Sequence, residues 1–335
     1  MNVLGAGMVT AVGSSALASC AAIRAKLTGF EEVPYTDIRS QPIIGAPVNF
    51  IASEAKGPLR LADLAVPAIA ECLEQIPASD LSRVALNIGM GHPSRPGPHH
   101  RYEVTATEVH RRLGSRFSRH SRVFLEGNLS TIHALEYSQL LLERGQADWC
   151  IVGGVDSLLD ARQIIWLQRI GRLKRANKPD GLIPGEAACF LCVARDPHTP
   201  PSIRISSAAI ERASPEEETD VRASALSRAM KRSIDGAGLR ANDVACEITD
   251  MTGERDIGVD HAIAVTRTFL EPRDRLHFWH PAMSVGAIGA AALPCAIGLA
   301  WAAAVRRFLP GSHAMCVALT ESWASGAVVV SMMTE

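Results

Sequence analysis

The sequence predicts a large α/β protein with buried sheets, because short apolar segments typical of strands alternate with longer segments of helical period. The chain has 335 residues, of which 47% are hydrophobic and 21% are charged, so it can bury a sizeable core. The run Pro-His-Thr-Pro-Pro at residues 197–201 indicates a boundary, and an apolar strand begins again at residue 203. We therefore expect two parts, residues 1–200 and residues 201–335.

The first part begins with a Gly-punctuated apolar strand and turn at residues 3–12, and Ser14 and Ser15 can cap the helix that continues to Leu27. Apolar runs then predict buried strands, and apolar residues at helical spacing predict helices. The predicted strands are residues 83–89, 122–125, 149–155 and 188–194, and the predicted helices are residues 61–75, 104–113 and 128–143. The Gly-, Pro- and His-rich residues 91–98 predict a loop.

The second part repeats the alternation. The predicted strands are residues 203–210, 244–248, 315–320 and 327–332, and the predicted helices are residues 216–236, 262–270 and 285–305. The last helix carries no charge and is long enough to span a bilayer. It consists mostly of Ala and Gly and contains Pro294, a composition that gains little from lipid. We expect a helix buried in a large core and no membrane span.

Composition and isolated motifs exclude several classes of function. Lys and Arg number 34 against 35 Asp and Glu, so the chain has no overall field to hold nucleic acid or an anionic membrane. Its eight Cys are scattered through apolar runs, which predicts reduced thiols and a cytoplasmic protein. The Cys189–Cys192 spacing falls within a strand, and the His277–His280 pair is expected in a loop. We predict neither a metal nor a cofactor.

Five segments carry a family resemblance. They are Gly-Met-Val-Thr-Ala-Val-Gly (7–13), Asn-Leu-Ser-Thr-Ile-His-Ala-Leu (128–135), Ala-Asp-Trp-Cys-Ile-Val-Gly-Gly-Val (147–155), Gly-Arg-Leu with Asp-Gly-Leu-Ile-Pro-Gly-Glu-Ala (171–173, 180–187) and Gly-Ala-Ala (289–291). In this order they resemble the β-ketoacyl-acyl-carrier-protein synthases of the thiolase-fold superfamily. The resemblance covers most of the chain and is strongest over residues 122–194. It implies a five-layer α/β/α/β/α sandwich of two similar halves, and a homodimer or a heterodimer with a ketosynthase.

The catalytic residues of that family do not carry over. Its ketosynthases use a Cys at a helix N-terminus to take the acyl group and two His to polarise the malonyl thioester. The matching places here fall on Asn128, Asp250 and Gly286, and the Lys before the second His falls on Pro281. An amide forms no thioester, and a carboxylate repels a developing enolate. The candidate pocket therefore consists of Asn128, Ser130, Asp250, Thr252, Glu254 and Gly286, without the catalytic set.

Three functions remain open at this stage. The leading hypothesis is a non-condensing relative of the ketosynthases, either a partner subunit in the manner of a chain-length factor or a scaffold. The second is an acyltransferase or hydrolase with chemistry relocated to Asn128, Ser130, Asp250 and Glu254. The third is an adaptor with no acyl ligand. A tunnel that reaches Asn128 would favour the first two hypotheses, and a filled core would favour the third.

A basic stretch at residues 169–178 suggests a docking site. It carries five cations and no acid, and local charge of one sign attracts an oppositely charged partner. We expect Arg172, Lys174 and Arg175 to receive an acidic partner, which the family resemblance suggests is an acyl carrier protein. The alternative is a solvated face balanced by acids elsewhere.

Overall fold

The computed structural model describes residues 1–51, 54–76, 81–114, 117–195, 203–213, 220–271, 275–319 and 324–333. The strands are β1 Asn2–Val9, β2 Glu31–Thr36, β3 Pro42–Gly45, β4 Val84–Gly89, β5 Arg122–Phe124, β6 Trp149–Ser157, β7 Glu186–Ala194, β8 Ile203–Arg212, β9 Val244–Thr249, β10 His277–Trp279, β11 His313–Leu319 and β12 Ala324–Met332. The helices are α1 Ala16–Arg24, α2 Pro58–Leu73, α3 Tyr102–Leu113, α4 Ser130–Glu143, α5 Ala161–Arg169, α6 Val221–Gly236, α7 Arg255–Thr268, α8 Ala282–Val285 and α9 Ala292–Val305. The predicted boundary at residue 200 lies outside the described residues.

Two sets of five strands share one arrangement. The first set runs β1-β7-β6-β4-β5 and the second runs β8-β12-β11-β9-β10, so each set has the same strand order when its strands are numbered along the chain. The pairing directions also agree, with two antiparallel and two parallel neighbours in each set. A short pairing of Asn2 and Val3 with Arg204 and Ile203 joins the sets into one ten-stranded sheet. The chain therefore consists of two similar halves, as predicted.

The helices form three layers around the two halves of the sheet. Helix α2 covers the first half and α6 covers the second, with α3 and α7 outside them. Helices α4 and α9 lie between the halves, and α9 contacts strands of both. Because α9 is surrounded, nearly all of its residues are buried, which explains its uniform Ala-rich sequence. The arrangement is the predicted five-layer sandwich. Within the described ranges, no helix has the length and apolar character needed to cross a bilayer.

Four local predictions need correction. The predicted helix 285–305 is broken at Gly286, whose φ of 69° lies in the left-handed region, and α9 begins only at Ala292. Residues 277–280, expected in a loop, contribute β10. The hairpin of β2 and β3 was missed because its residues are mostly exposed and include prolines. Helix α5 was also missed, although Asp160 caps it by accepting a hydrogen bond from the Arg162 N–H.

Candidate functional site

Two residues of the predicted pocket, Asn128 and Asp250, are hydrogen-bonded to each other. Asn128 lies in the short 3-10 turn before α4, and Asp250 follows the end of β9. The Asn128 Nδ2 donates to Asp250 Oδ2 over 2.6 Å, and also to the carbonyl of Leu319 over 3.1 Å. The Leu319 N–H in turn donates to Asp250 Oδ1 over 2.9 Å. Parallel strands β9 and β11 end at the same sheet edge, which brings Asp250 and Leu319 together.

The third position, Gly286, lines the same cavity. The Ala287 N–H donates to the carbonyl of Ile183, and Ala287 accepts from the Gly185 N–H, so this turn is tied to the segment before β7. A Cβ at residue 286 would lie 2.7 Å from the Ile183 carbonyl oxygen, so the turn has no room for a side chain in its present position. The structure therefore brings Asn128, Asp250 and Gly286 together around one cavity.

The cavity between these residues is small. Its volume is about 60 Å³, and a single water needs roughly 10–15 Å³ measured in this way. The wall consists mainly of Arg95, Asn128, Leu158, Arg172, Leu182, Thr249, Asp250, Thr252, Glu254, Ile257, Pro281, Ala282, Val285, Gly286, Ala287, Ile288, Gly289, Ala292 and Leu319. This space corresponds to a few waters and is smaller than the roughly 300–1,000 Å³ of a typical ligand pocket. By its volume the cavity resembles a filled core more than an open pocket.

Asp250 carries the most perturbed carboxyl group of the site. Desolvation raises its pKa to about 7, and the hydrogen bonds from the Leu319 N–H and the Asn128 amide oppose this effect only in part. The group can therefore exchange a proton near neutral pH. Neither oxygen is free of an N–H donor, so the carboxyl is held in place as a structural partner of Asn128.

A second polar pair, Arg172 and Glu254, lines the cavity. The Arg172 guanidinium binds the Glu254 carboxylate through two hydrogen bonds of 2.5 and 2.7 Å, and Thr252 Oγ1 donates to the same carboxylate over 2.7 Å. The pair joins the loop after α5 to the start of α7, and its side chains are only 21% and 10% exposed. The prediction that Arg172 is a surface docking cation therefore needs revision. Lys174 is exposed and Arg175 is half-buried, and their role in docking stays a prediction.

Ser130 does not belong to the cavity wall, which corrects its place among the candidate pocket residues. Its side chain is fully buried, and Oγ accepts a hydrogen bond from the Glu126 N–H over 2.9 Å. The hydroxyl faces the carbonyls of Phe124 and Met90, at 3.1 and 3.2 Å, and can donate to either. It therefore holds the turn before α4, because its hydrogen bonds go to the backbone of that turn and of the preceding loop.

A buried ion pair that no sequence pattern predicted joins Arg95 of the wall to Asp156 behind it. Arg95 Nη2 lies 2.5 Å from Asp156 Oδ2, and the two side chains are 10% and 0% exposed. Asp156 also accepts from the Ala290 N–H over 3.1 Å. A Cβ at Gly91 would lie 2.3 Å from Arg95 Nη2, so the glycine leaves the space that the arginine occupies. Arg95 lies in the predicted loop 91–98, where no periodic pattern marks a residue as buried.

Other sites that the sequence raised are structural. Cys189 and Cys192 lie within buried β7, and all eight Cys are buried and unbridged. Burial raises the pKa of the Cys150 thiol to about 12, which keeps it protonated. In the part of the chain that the structure describes, no cluster of three His, Cys, Asp or Glu side chains is arranged to hold a metal ion.

The comparisons with known proteins agree with this geometry. No protein-family model and no curated protein sequence matches the chain. Among solved structures, a ketosynthase in complex with its chain length factor from Xenorhabdus doucetiae is 16% identical, with a TM-score of 0.74 over 99% of this chain and 98% of that one. A β-ketoacyl synthase from Burkholderia phymatum is 18% identical, with a TM-score of 0.77 over 99% of both chains.

A third structure is a type II polyketide acyl-carrier protein in complex with its ketosynthase. It is 14% identical to this chain, with a TM-score of 0.81 over 99% of both chains. Three such likenesses over nearly the whole length, together with the repeated strand order, establish the architecture. The chain therefore has the thiolase-type fold of the β-ketoacyl synthases.

Proposed function

We propose that the protein is a non-condensing partner of a ketosynthase, and that it acts as a structural subunit of an acyl-carrier-protein-dependent pathway. The observation that carries the proposal is the direct hydrogen bond of Asn128 to Asp250 at the two positions where the family holds its nucleophile and first His. Among the described residues that line the cavity there is no thiol or imidazole, and the space beside Asn128 and Asp250 is about 60 Å³. Several such ketosynthase folds are known in complexes with a partner chain or a carrier protein.

The small cavity bears on the choice among the three hypotheses. It supports the scaffold version of the leading hypothesis over a subunit that itself contains the growing chain. It also supports an adaptor without an acyl ligand. The fold favours the ketosynthase partner over a non-metabolic adaptor, because neighbouring structures over nearly the full length are ketosynthases and their partners. We propose a cytoplasmic location, consistent with eight unbridged Cys.

The proposed interface includes the edge of the first half. Strand β5 is only three residues long, and its side away from β4 has no partner among the described strands. Exposed strand edges tend to pair with another chain. Arg122 on this strand is exposed, and its guanidinium stacks 4.3 Å from the Tyr137 ring, so the edge presents an ordered cation and aromatic surface.

Co-purification with a ketosynthase tests the proposal. We expect light scattering to show a dimer, either of this chain alone or with a candidate ketosynthase. Arg122→Glu should weaken that dimer and leave the fold of the subunit intact by circular dichroism, because an exposed cation contributes little to the stability of the subunit itself. A monomer at micromolar concentration, alone and with each candidate ketosynthase, would contradict the proposal.

Asn128→Cys provides a separate test of the missing chemistry. A thiol at this turn can be acylated, but carbon–carbon bond formation would still lack both His donors. Loss of even one such donor typically costs about 100- to 1000-fold in rate. We expect no 3-oxoacyl product from the variant by mass spectrometry. Product above the background of the wild-type protein would show that condensation uses other groups.

A second candidate function rests on Asp250. A carboxyl group with a pKa about 7 beside an amide can act as a general acid or base at neutral pH. The relocated hydrolase would then use Asp250 and Glu254 without Ser130. Hydrolysis of short acyl thioesters that is lost in Asp250→Asn would favour this candidate over the non-condensing subunit.

A further inference from the structure

Two neighbouring helices end in the same strained motif, with a cation at the strained residue. Helix α1 is followed by Lys26 at φ 57°, and helix α9 is followed by Arg307 at φ 57°. In α1 the Leu27 N–H donates to the Ala22 carbonyl, and the Lys26 N–H donates to the Ile23 carbonyl. This pair of bonds defines the Schellman motif, in which the left-handed residue is usually glycine.

The end of α9 repeats the motif. The Phe308 N–H donates to the Ala303 carbonyl over 2.8 Å, and the Arg307 N–H donates to the Ala304 carbonyl over 3.1 Å. A side chain in the left-handed region costs stability that glycine would avoid. A cation near the end of a helix stabilises the helix dipole, but Arg24 already places one in the last turn of α1 without strain. The dipole therefore does not explain why Lys26 occupies a strained position.

The two helix ends form one surface. Arg24 lies over the ring of Phe308, with 4.2 Å from the guanidinium carbon to the ring centroid, and α1 packs on α9. The four cations, Arg24, Lys26, Arg306 and Arg307, are all exposed. Across the described ranges, no carboxylate lies within ion-pair distance of any of them. Leu27 beside them is 58% exposed. We call these residues the helix-end patch.

We propose that the helix-end patch binds a partner protein through acidic side chains that surround an apolar residue. The inference goes beyond the proposed function, since no residue of the patch lines the cavity. Arg is enriched at protein interfaces and its planar fork matches carboxylates. The headgroups of an anionic membrane are mobile, so they gain little from cations that are fixed at strained positions or stacked on Phe308. A protein with a defined acidic surface fits better.

The test separates strain from binding. In the double variant Lys26→Gly with Arg307→Gly, each position receives glycine, the residue that favours its left-handed backbone conformation, and each position loses its positive charge. We expect Tm to rise by about 1–3 °C per site, while the affinity for a synthetic helical peptide with glutamates around a central leucine falls on the order of ten-fold at low salt. Ser40→Gly is the strain control, because Ser40 also has φ 59° and lies in the turn between β2 and β3.

Charge removal elsewhere supplies the second control. Arg144 and Lys231 are exposed cations on other surfaces, so Arg144→Gln with Lys231→Gln removes the same charge. We expect this variant and Ser40→Gly to bind the peptide like the wild-type protein. Unchanged peptide binding by the double glycine variant would overturn the proposal, and so would a fall in its Tm. Preferential binding of anionic vesicles or duplex DNA through the patch would also overturn it.

Discussion

The cavity has two polar walls that differ in how their charge is balanced. On one wall, the Asp250 carboxyl meets the neutral amide of Asn128, and desolvation raises its pKa to about 7. On the other wall, Arg95 and Asp156 form a buried ion pair. The first wall can lose its charge by binding a proton, whereas the second depends on the pairing of two opposite charges. A different kind of polar interaction therefore holds each side of the cavity together.

Asp156→Ala should give the largest effect, because it leaves the Arg95 guanidinium buried without its carboxylate. We expect the free energy of unfolding to fall by about 3–5 kcal/mol in urea titrations. Asp148→Ala is the matched control, since Asp148 pairs with Arg83 while both side chains are 44% exposed. That variant should lose only about 0–1 kcal/mol. Equal losses in the two variants would show that the buried Arg95–Asp156 pair contributes no more to stability than the exposed Arg83–Asp148 pair does.

Asp250→Asn should change the pH dependence of stability. The folded-state pKa of about 7 exceeds the ordinary value of 3.8, so the folded protein holds the proton more tightly than the unfolded chain. This carboxyl therefore favours folding most below pH 4, and the contribution is lost as the pH rises toward 7. Because one pKa unit corresponds to about 1.4 kcal/mol, the loss is on the order of a few kcal/mol.

The measurement is the difference between wild-type and variant unfolding free energies from pH 4 to pH 8. The wild-type protein should lose stability relative to Asp250→Asn across this range, since other titrating groups are common to both chains. A constant difference would mean that Asp250 stays ionised throughout and that the two walls behave alike.

Gly91→Ala probes how tightly the Arg95 wall is packed. The new Cβ would lie 2.3 Å from Arg95 Nη2 and 2.6 Å from His99 Nδ1, and the buried ion pair restrains the arginine from moving. We expect a loss of about 1–3 kcal/mol. Gly258→Ala in α7 is the control, because its nearest neighbour is the Met251 sulfur at 3.8 Å. The Gly258→Ala variant should gain about 0.5–1 kcal/mol of unfolding free energy. An unchanged unfolding free energy in Gly91→Ala would show that Arg95 can move to make room for the methyl group.

The two walls also differ in what the sequence could predict. Asn128, Asp250 and Gly286 were found because segments around them resemble a family whose catalytic positions converge in space. Arg95 lies in a loop without periodicity, so its burial depends on Gly91 and on Asp156 from a strand 61 residues away. Such a contact is visible only after folding. The positions of most strands in both halves followed from local apolar patterns, whereas the β2–β3 hairpin lacked a continuous apolar pattern because its side chains are largely exposed.

The smallest effect is expected in the basic stretch 169–178, of which Arg172 lines the cavity and Lys174 is exposed. Arg172→Gln should cost about 1–3 kcal/mol, because Glu254 loses a partner while it is largely buried. Lys174→Gln should change the unfolding free energy by less than about 0.5 kcal/mol, since its side chain is exposed. If Lys174 receives an acidic partner, its variant should instead slow association in stopped-flow measurements and reduce the salt dependence of the rate. The stretch is not a docking site if Lys174→Gln associates at an unaltered rate while Arg172→Gln is destabilised. Its role would then be the pairing of Arg172 with Glu254 in the cavity wall.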